Sequence, residues 1–529
     1  MIISICSENG ESILKACQRE NIFSDSVCGG NGTCGKCKVR MLTNAVLPTA
    51  ADQAFFSGEE LEDGWRLSCM AKPQGICEIE IPENDHMDMS VVTDSLPVDM
   101  TREDEFLRTK ERTLENRTGD RFFLVIDVGT TTVAIQLVKD PKENNHDIEV
   151  VETYTAVNLQ RTYGADVISR IQASNQGKGK ELKDCILRTL AKGMETLLKS
   201  TKVEQILIAG NTTMVHLLMG YSCETLGVAP FKPVTTDGLH VDAGSLFSSH
   251  LSEETLAYVK NAATYIFPGI SAFVGGDIVA GLYQMDFHRK QEIQLLIDLG
   301  TNGEMVIGNR MRMLSASTAA GPAFEGGGLS CGCAGIKGAI CGAKLLKDGT
   351  WELQTIGDTE PTGICGSGIV EVLYELYING WIDETGLLAE GNLEKVDLIG
   401  ETVYITQQDI RQFQMAKAAV RAGVETLIKE YGVELKEIAR VYIAGGFGYY
   451  LNLEKATTIG LFPDGFLGKM MPVGNSCLAG LKRFGVYHDE GKLMNIGKYT
   501  ASCDLAQNSW FQEKYLEYMY FPKFPNSIK

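Results

Sequence analysis

The sequence predicts an α+β protein of several domains, and three observations carry that prediction. A glycine-rich loop near the N-terminus holds three cysteines, a strongly polar stretch follows at residues 83–121, and two later apolar segments end in the same Asp-x-Gly-Thr pattern. The chain has 529 residues, which is too long for one hydrophobic core, since domains average about 150 residues. We therefore expect a small N-terminal unit, a linker and two related α/β lobes.

The cysteines indicate the chemistry of the N-terminal unit. Cys28, Cys34 and Cys37 lie on one loop, and Cys69 follows at a distance, which is the ligand arrangement of a [2Fe–2S] ferredoxin. Such a loop brings backbone N–H groups close to an anionic cluster through tight, positive-φ turns that glycine allows. A zinc site is the alternative, but zinc knuckles generally use two Cys-x-x-Cys pairs, and only Cys34 and Cys37 form one. We predict that the four cysteines bind a [2Fe–2S] cluster and that the protein handles electrons.

Short patterned segments surround these cysteines. Residues 2–5 indicate a strand, residues 10–17 a short helix, and residues 38–42 and 77–82 two more strands, because apolar residues at every second position suit a half-buried strand. This is the outline of a small β-grasp sheet.

The polar stretch at 83–121 reads as a linker with one short exposed helix. A free tether would let the iron–sulfur unit move between an electron donor and an acceptor. A linker packed across the next domain would hold the unit still, and the composition favours neither arrangement.

An internal similarity predicts the fold of the remaining chain. Residues 122–132 and 294–304 are each an apolar strand that ends in Asp-x-Gly-Thr and runs into a second strand. Residues 206–213 and 441–448 are each a strand that runs into a glycine-rich turn. Such duplication predicts two related α/β lobes. Helical patterns fill the intervals, as at 182–199 and 415–431.

Asp127 and Asp298 lie inside these apolar strands, where a carboxylate is costly to bury unless it meets a cation or hydrogen-bond donors. A hairpin whose Gly and Thr groups cradle phosphate, with the aspartates holding Mg²⁺ through water, meets that cost. One Asp-Gly-Thr turn would be a weak signal, but two of them followed by the glycines of 444–448 are far more specific. We predict a site for ATP with Mg²⁺.

This arrangement resembles the ATPase superfamily of acetate kinase, sugar kinases, Hsp70 and actin, whose lobes are RNase H-like. The resemblance implies that residues 127–132 and 298–304 are the two phosphate motifs and that 445–447 is the adenosine motif. Catalytic roles are then expected for Asp127, Asp298 and Glu304. Cofactor contacts are expected from Gly129, Thr130, Thr131, Thr132, Gly300, Thr301, Asn302, Gly303, Gly366, Ser367, Gly368, Gly445, Gly446 and Phe447.

Two further glycine-rich segments have two interpretations each. Residues 363–368 lead into a helix whose N-terminus would lie near phosphate or nucleotide, or they form a tight turn before a packed helix. Residues 321–328 are a ligand-contacting loop, in which Glu325 would position a water or a partner, or a plain structural loop.

A ferredoxin unit followed by a duplicated ATPase resembles the reductive activators of corrinoid proteins, ATP-dependent enzymes found with the corrinoid methyltransferases of anaerobes. The resemblance covers essentially the whole chain, and the Gly-Gly-Asp at 275–277, where Gly-Ala-Asp is expected, is a conservative departure. It rests on the cysteine pattern and on residues 127–132, 163–170, 210–214, 298–304, 321–326 and 444–448.

That resemblance implies the function. One electron would pass from the [2Fe–2S] cluster to Co(II) of a corrinoid protein and regenerate Co(I), with ATP biasing a conformational state that makes the step feasible. It also implies a corrinoid protein of a methyltransferase system as partner, a low-potential electron donor and a homodimer. The expected domains are a ferredoxin unit at 1–82, the linker at 83–121, the start of the first lobe at 122–204 as a middle domain, and a C-terminal ATPase-like domain at 205–529.

Composition narrows the partners and the compartment. A formal net charge of −19 argues against nucleic acid or an anionic membrane surface. The sequence contains no run of 18 apolar residues, so we expect no membrane span. No basic, apolar leader precedes the first strand, so we expect no signal peptide. We expect a cytoplasmic protein whose 15 cysteines are ligands or small core residues. The Cys331–Gly332–Cys333 pair has a poor spacing for a second metal centre.

Two other functions fit parts of the pattern. A ferredoxin-fused small-molecule kinase would turn Asp127 or Asp298 toward an acceptor hydroxyl and place γ-phosphate on a product. A plain electron-transfer protein with a non-hydrolysing ATPase-like body would show no nucleotide effect on cluster reduction or partner binding.

Overall fold

A computed structural model of the chain describes residues 1–8, 10–20, 22, 24, 26, 28–82, 92–95, 119–141, 148–389, 394–400 and 402–523. The strands are β1 Ile2–Ser7, β2 Lys38–Met41, β3 Trp65–Leu67, β4 Gly75–Glu80, β5 Arg121–Val128, β6 Thr132–Asp140, β7 Glu149–Val157, β8 Gln205–Gly210, β9 Leu239–Asp242, β10 Ala263–Ile266, β11 Ile293–Leu299, β12 Gly303–Asn309, β13 Arg312–Thr318, β14 Ala339–Leu345, β15 Trp351–Thr355, β16 Gly363–Ile364, β17 Lys395–Ile399, β18 Val403–Thr406, β19 Ile438–Ala444, β20 Met470–Gly474 and β21 Thr500–Ser502.

The helices are α1 Ile13–Arg19, α2 Ala50–Phe55, α3 Gly58–Glu62, α4 Val167–Ala173, α5 Gly179–Leu198, α6 Thr212–Met219, α7 Ala243–Phe247, α8 Glu253–Val259, α9 Gly276–Gln284, α10 Gly366–Ile378, α11 Gln407–Tyr431, α12 Gly446–Tyr450, α13 Leu453–Thr458, α14 Ser476–Tyr487, α15 Glu490–Tyr499 and α16 Ser509–Glu517.

The N-terminal unit is a four-stranded sheet in the order β1-β4-β2-β3, which confirms the predicted small sheet. In β4 the alternation buries Cys77 and Ile79 and leaves Glu78 exposed, as a strand with one solvated face requires. Helix α1 begins at an N-cap, Ser12, whose side chain accepts from the Lys15 amide, and its apolar face packs on the sheet.

The first lobe has a six-stranded sheet in the order β7-β6-β5-β8-β10-β9. Strand β5 is antiparallel to β6 and parallel to β8. The apolar side chains of β5 are buried on both faces of this sheet, because helices cover both sides. The second lobe has the order β20-β19-β11-β12-β13-β21, in which β11 is antiparallel to β12 and parallel to β19.

The two sheets therefore repeat one topology, and the predicted duplication is confirmed. Strands β5 and β11 occupy the same central place, and β8 and β19 lie beside them in the same parallel orientation. The second lobe differs by insertions between β13 and β19, which form a three-stranded sheet and the β17–β18 hairpin.

Helices α9 and α14 lie between the two sheets. Their buried side chains join those of β5 and β11 in one apolar cluster, which includes Phe123, Ile278, Leu296 and Leu481. This shared core fixes the lobes against each other, because apolar burial is the dominant favourable term in folding.

Strand β8 begins at residue 205 and pairs with β5, so the expected division between residues 204 and 205 falls inside the first sheet. Parallel strands that are distant in sequence leave no local signal of their pairing. We now propose that the first lobe extends to about residue 290. The helix predicted in the linker lies outside the described residues.

Candidate iron–sulfur and nucleotide sites

The four predicted cluster ligands lie together as two pairs of thiols. The sulfurs of Cys37 and Cys69 are 3.3 Å apart, and the side chains of Cys28 and Cys34 are hydrogen-bonded to each other. Within the described part of the chain, no three Cys, His, Asp or Glu side chains converge on a site for a single ion. Two thiols for each of two irons is the ligand set of a binuclear cluster, so the two pairs fit a [2Fe–2S] cluster.

The glycines of the cluster loop are required by its conformation. Gly30 has φ +89° and Gly35 has φ +66°, values that other residues rarely adopt. A Cβ on Gly35 would lie 2.5 Å from the Phe55 ring. The chain can therefore turn back over the thiols only with glycine at these positions.

Electrostatics leave one thiol of each pair easier to deprotonate. The contact between the two buried sulfurs lowers the pKa of Cys37 and raises the pKa of Cys69. Burial raises the pKa of Cys28, but hydrogen bonds from Thr33 and Cys34 outweigh it and lower the value to about 7. Thiolate is the form that binds iron, so each pair holds a ready ligand at neutral pH.

A pocket lies between the lobes, at the ends of the central strands. It is lined by the predicted acidic residues Asp127, Asp298 and Glu304. Most of the predicted cofactor contacts line it as well: Gly129, Thr130, Thr131, Thr132, Gly300, Thr301, Asn302, Gly366, Ser367, Gly445, Gly446 and Phe447.

Two predicted contacts are not part of this lining. Gly303 begins β12, where a Cβ would approach Thr318 and Val420, and Gly368 lies in α10, where a Cβ would be 2.0 Å from the Ile340 carbonyl oxygen. Both glycines are needed for close packing, a requirement that looks the same in sequence as a phosphate-binding glycine.

Glu325 joins the two Asp-x-Gly-Thr turns. Its carboxylate accepts from the Thr131 hydroxyl at 2.8 Å and from the Thr301 hydroxyl at 3.0 Å. Of the two interpretations of the 321–328 loop, the structure therefore supports a loop that belongs to the site. Phe324 beside it stacks on Phe447 with ring centroids 4.6 Å apart, which brings the loop against the predicted adenosine motif.

Polar residues of the first lobe hold its phosphate turn. The Asn211 amide donates to the Thr130 hydroxyl at 2.8 Å and its oxygen caps α6. The buried Arg170 donates to the Thr130 carbonyl at 2.6 Å, and burial lowers the pKa of its guanidinium to about 9. Asp166 and Thr212 belong to two of the motifs on which the family resemblance rests. Asp166 is the N-cap of α4, and the Thr212 hydroxyl donates to the Ser271 carbonyl.

The pocket has a strong need for a cation. Burial, followed by repulsion from Asp127, raises the pKa of Asp277 to about 7. Burial, followed by repulsion from Asp277 and Asp127, raises the pKa of Asp298 to about 7. Burial likewise raises the pKa of Glu304 well above its usual range. A divalent ion would relieve this repulsion.

Mg²⁺ fits this donor set in a particular way. No three described acidic side chains converge closely enough to bind one ion directly. Mg²⁺ characteristically keeps several of its waters and binds through few carboxylates and substrate phosphates. If Mg²⁺ binds here, the acidic residues would hold it through its waters, together with the phosphates of a nucleotide.

Sequence reasoning missed Asp277 and Asn475. Asp277 lies in the first turn of α9, and Asn475 is the N-cap of α14 and donates to the Asp127 carboxylate at 2.9 Å. Asp277 belongs to a motif that was recognised only as a departure from the family pattern. For Asn475, the sequence signal that could have been used is the Gly-Asn pair at 474–475, which follows a strand-like segment.

Asn475 also contacts the linker. Its backbone N–H donates to the Asp94 carbonyl at 3.0 Å, Ser95 forms a bridge with Gly474, and Val92 lines the pocket. One residue therefore touches both the first phosphate motif and the segment that leads to the ferredoxin unit.

Comparison with known proteins accounts for nearly the whole chain. Residues 3–74 match the 2Fe-2S iron-sulfur cluster binding domain, 122–290 the RACo middle region and 292–528 the C-terminal domain of RACo, the ASKHA domain. The corrinoid activation enzyme RamQ of Eubacterium limosum is 30% identical over 429 residues, which cover 74% of this chain and 69% of RamQ. The chain belongs to the family of corrinoid-protein reductive activators.

Other members of the activator family agree with this assignment. The [Co(II) methylated amine-specific corrinoid protein] reductase of Methanosarcina barkeri is 27% identical, over 67% of this chain and 68% of that protein. A solved structure, the reductive activator for corrinoid, iron-sulfur protein, superposes with a TM-score of 0.67 at 28% identity and covers 98% of this chain and 96% of its own. The predicted family, fold class and ferredoxin unit are thus confirmed. No helix among the described residues is long and apolar enough to cross a membrane.

Proposed function

We propose that this protein is an ATP-dependent reductive activator that returns one electron to the Co(II) of a corrinoid protein and so regenerates Co(I). One observation carries the proposal: a single chain contains both two thiol pairs and a pocket of the nucleotide-binding type. A solved activator matches this chain over nearly its full length. The names of two relatives refer to corrinoid activation and to reduction of a Co(II) corrinoid protein, and we propose that the corrinoid protein belongs to a methyltransferase system.

Cys28, Cys34, Cys37 and Cys69 would hold the cluster, which supplies the electron when bound. Leu14 packs against Cys37 and Cys69 and keeps water from that pair. Cys28 and Cys34 are half-exposed. Exchange with donor and acceptor is therefore expected on the Cys28–Cys34 side.

Thr130, Thr131 and Thr301 would hold the phosphates of ATP, since all three residues line the pocket and backbone N–H groups of such turns bind anions. The acidic residues around them would hold Mg²⁺ through its waters, and Glu304 or Asp298 would accept a proton from the attacking water. Burial and the neighbouring carboxylates raise the pKa of Asp298 to about 7, which suits general-base work near neutral pH.

ATP is needed because the electron step is unfavourable. Plant-type [2Fe–2S] centres have potentials near about −400 mV, and each 100 mV of shortfall costs roughly 2.3 kcal/mol for one electron. Nucleotide binding can offset this cost only if it favours one conformational state over another. That state would be one in which the docked Co(II) is easier to reduce.

Asn475 provides a physical route for such coupling. It donates to Asp127 in the phosphate site and to Asp94 in the linker. An ion or phosphate that draws Asp127 away would therefore alter the hold on the linker. This contact favours the packed form of linker over a fully free tether, at least at residues 92–95.

The test is reduction of a purified methyltransferase corrinoid protein in the Co(II) state, followed by visible spectroscopy under anaerobic conditions. We expect Co(I) to form only with the activator, a reductant and Mg-ATP together. The Cys37→Ser and Asp298→Asn variants should each fail, the first for lack of an intact cluster and the second for lack of ATP turnover. Equal rates with and without ATP, using a reductant no stronger than the cluster, would remove the energetic role of the nucleotide.

The same reaction separates the kinase alternative. An activator should release γ-phosphate as inorganic phosphate, whereas a kinase should transfer it to a metabolite. A homodimer and a low-potential donor complete the proposal, and light scattering of the purified protein measures the oligomeric state.

A further inference from the structure

The ferredoxin unit and the first lobe enclose a charged groove. Its ferredoxin side is formed by Glu11, Lys15, Gln18 and Arg19, which come from α1 and the turn before it. Its other side is formed by the start of α5, the preceding segment and the α7 region, with Lys178, Lys180, Glu181, Lys183, Asp184 and Arg188 among its residues.

The groove is basic, in a chain that is strongly acidic. Six Lys or Arg side chains line it against three carboxylates, whereas the whole chain carries a formal charge of −19. Some of these cations are already paired: Lys178 with Glu181 at 2.9 Å, and Arg188 with Asp184 at 2.8 Å. Lys15 and Lys180 are exposed, and neither forms an ion pair with a residue that the structure describes.

The groove lies beside the cluster ligands. On α1, Leu14 packs against Cys37 and Cys69, while Lys15, the next residue, points to the groove. The groove and the thiols therefore lie on neighbouring sides of α1, within roughly the 10 Å diameter of one helix. The other wall also approaches the cluster loop. The Tyr163 carbonyl oxygen lies close to Gly29, the neighbour of Cys28, at 3.7 Å from the position that a Cβ would occupy there.

A hydrogen bond closes the base of the groove. The Gln18 side chain donates to the Thr162 carbonyl at 2.6 Å, so the two walls come from different domains but are joined. A partner that enters the groove would touch both domains and come close to the half-exposed Cys28.

We propose that this groove is the docking site of the electron donor, a small acidic one-electron carrier protein of the ferredoxin or flavodoxin class. The inference rests on the proposed function, since it assumes that the cluster is reduced before the electron moves on. Complementary charge steers such encounters and raises association rates, and transient electron-transfer interfaces are small. In the step itself the reduced donor loses one electron and the oxidised [2Fe–2S] cluster gains it, and no bond or proton is exchanged.

The test uses the full chain with its cluster in place and no corrinoid protein. A reduced clostridial-type ferredoxin, which is acidic, is mixed with the oxidised protein, and bleaching of the cluster is followed by stopped flow. The double variant Lys15→Glu/Lys180→Glu reverses two exposed charges that form no ion pair with a described residue, so the fold should be unaffected. Lys347→Glu, on the β14–β15 hairpin of the C-terminal lobe, is the matched control because that lysine is also exposed.

At low salt the double variant should be reduced at least about 10-fold more slowly than wild type by the ferredoxin. Salt should slow the wild-type reaction and reduce the difference, because screening shortens the reach of exposed charges to about 10 Å at 0.1 M. Reduced methyl viologen, a small cation, should reduce all three proteins at similar rates, and Lys347→Glu should behave as wild type.

Four results would overturn the assignment. In the first, the double variant is reduced by ferredoxin as fast as wild type. In the second, its reduction by methyl viologen is slowed as much as its reduction by ferredoxin. In the third, it is slowed no more than Lys347→Glu. The fourth requires a separate titration of the variant with the corrinoid protein: weakened binding there, with an unchanged ferredoxin rate, would assign the groove to that partner. Failure of the proposed function looks different, since the cluster would be reduced normally but would not reduce Co(II) with Mg-ATP.

Discussion

Replacing Asp277 by Asn should stabilise the metal-free protein at pH 8 and at the same time remove its response to Mg-ATP. Asp277 is buried with Asp127, Asp298 and Glu304. The substitution keeps the size of the side chain and removes one of four mutually repelling carboxylates. A residue kept for function at the expense of stability should show this opposite pair of effects.

The magnitude follows from the pKa. Burial and the neighbouring Asp127 raise the pKa of Asp277 from 3.8 to about 7, and in the unfolded chain it returns to about 3.9. The contribution of Asp277 to the free energy of unfolding is therefore fully present below pH 4, where the carboxyl is protonated in both states. It is lost as the pH rises through 7. The loss is at most roughly 4 kcal/mol for this carboxyl, and less in practice because the four groups titrate together.

Differential scanning calorimetry in EDTA at pH 5 and pH 8 measures the effect. If half of the loss is realised, the Asp277→Asn variant should melt roughly 2 °C above wild type at pH 8. The difference should shrink at pH 5, where the folded-state carboxyl is largely protonated. Mg²⁺ with a non-hydrolysable ATP analogue should raise the wild-type melting temperature at pH 8 and leave the variant nearly unchanged.

The reasoning would be refuted by a variant that is less stable than wild type at pH 8 in EDTA, since the carboxylate would then have a stabilising partner. It would also be refuted by a variant that keeps the full Mg-nucleotide response. Leu398→Ala, far from the pocket in the β17–β18 hairpin, is a control that should lower stability equally at both pH values.

Three further predictions concern single residues. Cys37→Ser should lose most of the visible absorbance of the reconstituted cluster, measured against iron content, because one iron would keep a single thiolate. Gly445→Val should abolish nucleotide binding in calorimetric titrations, since Gly445 has φ +89° and a Cβ there would lie 2.5 Å from the Leu299 carbonyl oxygen. Asn475→Ala should lower ATP turnover at least about 10-fold and cost about 1 kcal/mol of stability through the lost N-cap, whereas turnover near wild type would remove Asn475 from the coupling route.

The duplicated lobes were predictable because each copy kept both its strand pattern and its Asp-x-Gly-Thr turn. Asp127 and Asp298 could be assigned to the pocket since a carboxylate in an apolar strand needs a partner. The grouping of the four cysteines in one place was predictable from their spacing alone. The role of each side chain remains a prediction.

Other parts of the site depend on contacts that sequence does not reveal. Asp277 and Asn475 begin helices that are nearly 200 residues apart and meet only because α9 and α14 pack between the sheets. The role of Glu325 depends on hydroxyls from both lobes. Gly303 and Gly368 were assigned to the nucleotide because packing and phosphate binding both select glycine.

A single-turnover reaction without external reductant tests the central claim most directly. The protein with its cluster reduced is mixed with a Co(II) corrinoid protein, and electron paramagnetic resonance follows the cluster and the cobalt together. The account predicts that both signals disappear one for one when Mg-ATP is present, and that neither changes when ATP is replaced by ADP. Loss of the cobalt signal with ADP alone, or persistence of both signals with Mg-ATP, would contradict it.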